Sequence, residues 1–204
     1  ELEGFIITHF DNDHSGGAVN IKKNVKIDHV YINSWADKTK TSKSIYTYLK
    51  SHKTIPVEIP SNGEIIYKEG NLQIKTLRCN LKGKHEDNDN SIMTIVSDHK
   101  FDELFMADAG VRAFNLVKNE IPKNVEILKV GHHGAKNVAD KAMLKRLSPT
   151  FAIVSTGQNN YGHPNPYTMY TLTKFCKKVF RTDYDNSIKI VEHDNKYQAF
   201  AFSD

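Results

Sequence analysis

Thr8-His9-Phe10-Asp11-Asn12-Asp13-His14-Ser15-Gly16-Gly17-Ala18 puts two histidines and two aspartates within six residues. The apolar run Phe5-Ile6-Ile7 before it reads as a buried strand. The glycine pair after it lets the chain turn tightly into a helix. The polar side chains therefore gather at a strand end, on a bend, where several can converge on one point. Imidazole and carboxylate together suit a divalent transition metal such as zinc or manganese. A single histidine on a polar turn is ordinarily a cap or a packing group; four such groups at this spacing point to a metal centre instead.

Three later stretches carry the same kind of side chain. Phe101–Met106 reads as a strand running into Ala107-Asp108-Ala109-Gly110. Asp108 there either caps the following helix, Val111–Asn119, or lends both carboxylate oxygens to a shared site. Val125–Val130 reads as a buried strand that runs into Gly131-His132-His133-Gly134. One of these adjacent histidines can point into a cleft while a backbone or carboxylate partner fixes the other. Asn159-Asn160-Tyr161-Gly162-His163-Pro164 is a loop rich in turn formers with one more histidine, which either braces the turn or faces a substrate.

The rest of the chain alternates strands with helices. Helices are expected at Ala18–Lys23, at Ser42–Ser51 with Ser42 as N-cap, at Ala139–Leu147 and at Pro166–Cys176. Strands are expected at Asp28–Ile32, Val57–Ile59, Ile65–Lys68, Leu72–Leu77, Ile92–Val96, Phe151–Ser155, Ser187–Glu192 and Gln198–Phe202, and a short strand with a polar tip at Val179–Asp183. Such an α/β (α+β) mixture fits either a doubly wound sheet or two sheets flanked by helices.

With 204 residues, 39% hydrophobic and 25% charged, the chain is expected to be one folded domain over 1–204. No apolar run approaches the ~18 residues of a membrane span. Cys79 and Cys176 lack CxxC partners, which excludes a zinc finger and favours two buried thiols over a disulfide. The net charge of +4 tolerates polyanions without requiring them. Lys38–Lys43, Lys82–Lys84 and Lys136–Lys145 either track a phosphate backbone or are solvated faces. Trp35 and Tyr161 are the candidates for base stacking.

His9-x-Asp11-x-Asp13-His14 resembles the first metal motif of the metallo-β-lactamase superfamily, with aspartate replacing its second histidine. With the glycine pair, the His-His-Gly and the Asn-x-Tyr-Gly-His-Pro order, it is similar to the soluble domain of ComEC-type DNA-uptake (competence) proteins. The resemblance runs from His9 to Asp183. It implies an αββα sandwich with metals at one edge and with N-terminal strands missing before Glu1. It implies that Asp13, His14, Asp108 and one of His132 and His133 hold one divalent ion. His9, Asp11 and the shared Asp108 would hold a second. That second site is oxygen-rich, which shifts preference from zinc toward manganese or magnesium. His85, Asp87 or Asp89 would be within reach of it. Asp13 and His163 are the catalytic candidates.

The implied activity is metal-dependent phosphodiester hydrolysis, with DNA as substrate. The alternatives are a small-molecule hydrolase of lactonase or thioesterase type, and a nucleic-acid-binding module of the same fold without turnover. A free-standing protein would be cytoplasmic. A competence domain would be attached to a membrane channel at its extracytoplasmic face.

Overall fold

The computed structural model describes residues 1–35, 39–51, 55–81, 88–99, 101–193 and 196–202. A first sheet joins β1 (Leu2–Ile7), β2 (Ile27–Ile32) and β3 (Val57–Glu58), all parallel, in the order β1-β2-β3. A second joins β4 (Ile65–Glu69), β5 (Leu72–Leu77), β6 (Met93–Asp98), β7 (Phe101–Phe105), β8 (Ile127–Lys129), β9 (Phe151–Val154) and β10 (Lys178–Arg181) in the order β10-β9-β8-β7-β6-β5-β4. Its β7-to-β10 half is parallel and its β4-to-β7 half antiparallel.

Period-two alternation decides which face of each strand meets helices. In β2, Val30 and Ile32 pack with Ile45, Tyr46 and Leu49 of the helix α3 (Lys40–Ser51). Short helices α1 (Asn12–Ser15) and α2 (Ala18–Asn24) follow β1. In the second sheet, Met93, Ile95, Leu104, Leu128, Ala152 and Val154 share a core with helices α4 (Val111–Val117), α5 (Lys141–Leu147) and α6 (Pro166–Phe175). On their other faces the two sheets approach each other at β1, β2, β4 and β5. Ile6 and Tyr31 of the first sheet line one groove together with Ile66 and Ile74 of the second. The layers are thus helix, sheet, sheet, helix, the αββα sandwich of the metallo-β-lactamase-like fold. A helical turn α7 (Thr182–Asp185) leads to the hairpin β11 (Ser187–His193) and β12 (Lys196–Phe202). Tyr197 of that hairpin packs edge-on against Phe101 and Phe151, at 5.5 and 5.7 Å between ring centroids.

Local chemistry explains where several elements start. Asp140 accepts from Met143 N (2.8 Å) and caps α5. Asn165 accepts from Tyr167 N (3.0 Å) and caps α6, with Pro166 pre-set at the first helical position. Three expectations are corrected. Ser42 lies inside α3; Thr39 Oγ1 accepts from Ser42 N instead, at 3.0 Å. The first helical turn, α1, contains the metal-type residues themselves and precedes the glycine pair. The polar tip expected at the end of Val179–Asp183 is a helical turn from Thr182, because Asp185 reaches back to Arg181 N (2.7 Å). Cys79 and Cys176 are free and buried. Among the described residues no helix is long and apolar enough to cross a membrane.

Candidate metal centre

The site lies where three strand ends meet. Ile92 N donates to Thr8 O (2.9 Å), which holds the end of β1 against the start of β6. His9 follows at 1% exposure, with Nδ1 3.2 Å from Thr8 Oγ1. Helix α1 then carries Asp13 and His14 across the end of the second sheet. β7 ends in Met106, and Ala107 takes a positive φ of 48° that turns Asp108 inward at 4% exposure. β8 ends in Val130-Gly131 and a single 3-10 turn, His132–Gly134, in which His132, His133 and Gly134 take φ of 42°, 53° and 78°. Two consecutive non-glycine residues in the left-handed region represent local strain of the kind that functional sites hold. Glycine is required at 134, where a Cβ would approach Pro164 Cβ to 2.7 Å.

Asp108 is the hub. Its Oδ1 is 3.0 Å from His14 Nε2 and 4.0 Å from His133 Nε2. Its Oδ2 is 3.6 Å from His9 Nε2 and 3.7 Å from His132 Nε2. Asp13 Oδ2 joins the first group, 3.1 Å from His133 and 3.6 Å from His14. Asp11 Oδ2 joins the second, 3.7 Å from His9. All seven sequence-predicted metal candidates are therefore brought to one place. His132 and His133 both face Asp108, each nearer a different oxygen. Asp108 does not cap α4, whose N-cap is Gly110 without a side-chain bond.

The donor chemistry fits divalent ions. His9 Nε2 is buried without a hydrogen-bond partner, a cost that native proteins seldom leave unmet. His133 Nδ1 donates to Ser155 O at 2.9 Å, which turns the lone pair of Nε2 toward Asp13 and His14. Asp108 at 3.0 Å holds His14 above the usual histidine range despite burial. Burial, reinforced by His14, holds His9 below it. Burial pushes the Asp108 carboxyl up, but His14, His9 and His132 outweigh it and hold the group below the usual carboxylate range. A metal binding here would compete with a proton for His14.

The site opens on a cleft of about 410 Å³ lined by Asp11, Asp13, Asp108, His132, Tyr161 and His163. The His163 ring lies 5.3 Å from that of His132 and 6.0 Å from that of Tyr161, which is 84% exposed. Asn159 grips the backbone of His163 at N (3.1 Å) and O (2.6 Å), so the turn is braced without the ring. Burial and the neighbouring His132 hold His163 below the usual histidine range. Trp35 packs on Tyr46, 5.0 Å between centroids, away from the cleft.

Of the loop candidates, Asp89 is turned away: its Oδ1 accepts from Gly110 N (2.8 Å) and its carbonyl from Cys79 Sγ (2.7 Å). His85, Asp87, Lys38 and Lys82–Lys84 lie outside the described residues. Asn88, in the Asn88-Asp89-Asn90-Ser91 stretch that the resemblance sets at the rim of the site, has Nδ2 3.3 Å from His132 Nδ1.

No family model matches the chain. It is 26% identical over 192 residues to ComE operon protein 3 of Bacillus subtilis, covering 93% of this chain and 24% of that protein. It is 26% identical over 190 residues to recombination protein 2 of Haemophilus influenzae, covering 93% of this chain and 22% of that protein. The chain thus spans about a quarter of the length of these relatives. Among solved structures, CmlA, a diiron β-hydroxylase from Streptomyces venezuelae, superposes over 98% of this chain and 45% of its own, with a TM-score of 0.57 at 13% identity. An E377D mutant of the same enzyme gives 0.56 at 11%.

Proposed function

We propose, from its likeness to competence proteins on a metallo-β-lactamase-like fold, that this chain is a metal-dependent phosphodiesterase acting on DNA. One observation carries the reading: the two oxygens of the buried Asp108 lie toward different histidines, Oδ1 toward His14 and His133 and Oδ2 toward His9 and His132. Asp13, His14 and His133 form one compact group and His9, His14 and Asp108 another, with Asp11 beside His9 and His132 beside Asp108 Oδ2, each at 3.7 Å. His132 thereby supplies the further donor that the sequence left unassigned for the second ion. Two divalent ions, manganese or zinc with magnesium a further option, would supply Lewis acidity and a more acidic water at neutral pH.

The chain's own groups do the rest. Asp13, with its side chain 61% exposed on the cleft side, takes up the proton released as water attacks. His163 is uncharged at neutral pH and offers a ring N–H to a phosphate oxygen. Asn88 and Ser155 orient His132 and His133.

The test is to strip the protein with a chelator, return manganese or zinc, count bound ions and follow cleavage of single-stranded DNA. Two ions and cleavage are expected. A tight stoichiometry of one, or turnover of a lactone or thioester with DNA untouched, would overturn the reading. So would DNA binding without cleavage under every metal. His163→Ala is expected to lower kcat by about ten- to a hundredfold, the value of one hydrogen bond to a charged group, with the ion count unchanged. An unchanged kcat would remove His163 from the mechanism.

By the same resemblance we place the domain in a longer protein attached to a membrane channel, at the extracytoplasmic face where DNA arrives. Recovery of the full-length protein in the soluble fraction of lysed cells would overturn that placement.

A further inference from the structure

Behind the metal centre lies a second hollow, a cavity of about 250 Å³ that reaches the site at His9 and Asp11. Its far wall carries Arg78, Asn33 and Asn80. Arg78 follows β5. It donates from Nη1 to Pro60 O at 2.8 Å and from Nη2 to Asn33 O at 2.5 Å. Its Nε is buried without a partner. Among the described residues no carboxylate lies within 4.0 Å of it to form an ion pair. Two neutral carbonyls fix the guanidinium in place and, among the described residues, leave its charge without a carboxylate partner, whereas a guanidinium serving structure alone ordinarily gains one when desolvated. Asn33 is 9% exposed, and its amide oxygen is likewise unpartnered.

A fixed cation with spare donor capacity, beside a metal centre and in a space below the roughly 300–1,000 Å³ of a drug-sized pocket, fits one phosphate and part of its sugar. Arg is the side chain best matched to phosphate. Asp11 lines the same cavity. Its charge opposes an anion in the metal-free protein and is offset once a cation is bound, so the cavity becomes receptive when the centre is loaded.

We propose that this cavity is a subsite for a backbone phosphate neighbouring the one that is cleaved, with Arg78 as its positioning residue. The inference rests on the phosphodiesterase reading and adds to it how the strand is held in register.

The test measures binding apart from cleavage. Manganese-loaded protein is titrated with a labelled, short phosphorothioate oligothymidylate over a range of salt, and anisotropy gives Kd. Arg78→Gln is expected to weaken binding about tenfold or more. It is also expected to lower the slope of log K against log salt by about 0.7, one phosphate's share on a single strand. Loss of a merely structural arginine would leave that slope alone. Arg78→Lys restores the slope and part of the affinity. Asn80→Asp, which leaves the bonds to Pro60 and Asn33 in place, is expected to weaken binding as well; it decides the matter if Arg78→Gln fails to fold. Binding and slope like wild type in both variants would overturn the subsite while leaving hydrolysis standing. Binding that depends on Arg78 in a wild type that cleaves nothing would overturn hydrolysis and keep the subsite. A wild type that does not bind would overturn both.

Discussion

Asparagine in place of Asp108 is expected to abolish DNA cleavage and the stabilisation that metal confers, together. The shape is nearly unchanged, so packing is not the cause. Among the described residues the buried carboxylate alone lies within 4.0 Å of His9, His14, His132 and His133 alike. Asparagine keeps one oxygen, carries no charge and turns an N–H toward one donor set, where it repels a cation. A ligand present at a hundred times its Kd stabilises the native state by about 2.7 kcal/mol. For a chain of this length that corresponds to roughly 5–10 °C in Tm. Wild-type protein should gain that much on adding manganese, and Asp108→Asn should gain none. The loss of several kcal/mol of Lewis-acid stabilisation lowers kcat by about a thousandfold or more. A variant that still binds two ions, or still gains Tm, would show that Asp108 is not shared.

Gly131→Ala is expected to damage both fold and site, although it changes no donor. The backbone at 131 is ordinary, with φ −67°. The obstacle is space: an added Cβ would lie 2.3 Å from Ala109 O and 3.4 Å from Met106 Cβ. The nearer atom is backbone, so it cannot swing aside. Here the loop after β7 touches the loop after β8, and His132 N donates to Ala107 O at 2.9 Å across the same seam. The methyl must push Asp108 away from His132 and His133. Overpacking of this kind costs about 1–3 kcal/mol, roughly 2–12 °C at this chain length. A displacement of about 1 Å at reacting groups costs on the order of a hundredfold in rate. Thermal unfolding and manganese affinity measured on one preparation test both parts. Wild-type values for both would mean the seam is softer than its contacts indicate.

Much of this was legible before any coordinates. Strand ends at Ile7, Phe105 and Lys129 follow from apolar runs that stop at polar, turn-forming residues, and in each case the ligand-type side chains come within a few positions of the end. A strand end in a buried sheet faces the sheet's edge, so such residues converge by topology. The proline-started α6 was equally readable, because the preference of proline for the first helical position is local. Element boundaries were less so. Thr39 rather than Ser42 begins α3, and the first helical turn contains the Asp13-His14 pair, because both depend on which backbone N–H is left without a partner after the chain turns.

From sequence alone, then, this protein showed an interleaved strand–helix chain with a histidine and aspartate centre at its strand ends. Short-range pattern determines periodicity, caps and the chemical type of each donor. Only the tertiary structure decided that His132 and His133 divide between the two oxygens of Asp108. That division depends on two successive left-handed residues, pinned by Ala107 and Ser155 from neighbouring strands. Arg78 belongs to the same class. It is unremarkable among 28 basic residues in one dimension; two carbonyls distant in the chain, Pro60 and Asn33, hold it facing a cavity beside the metal centre.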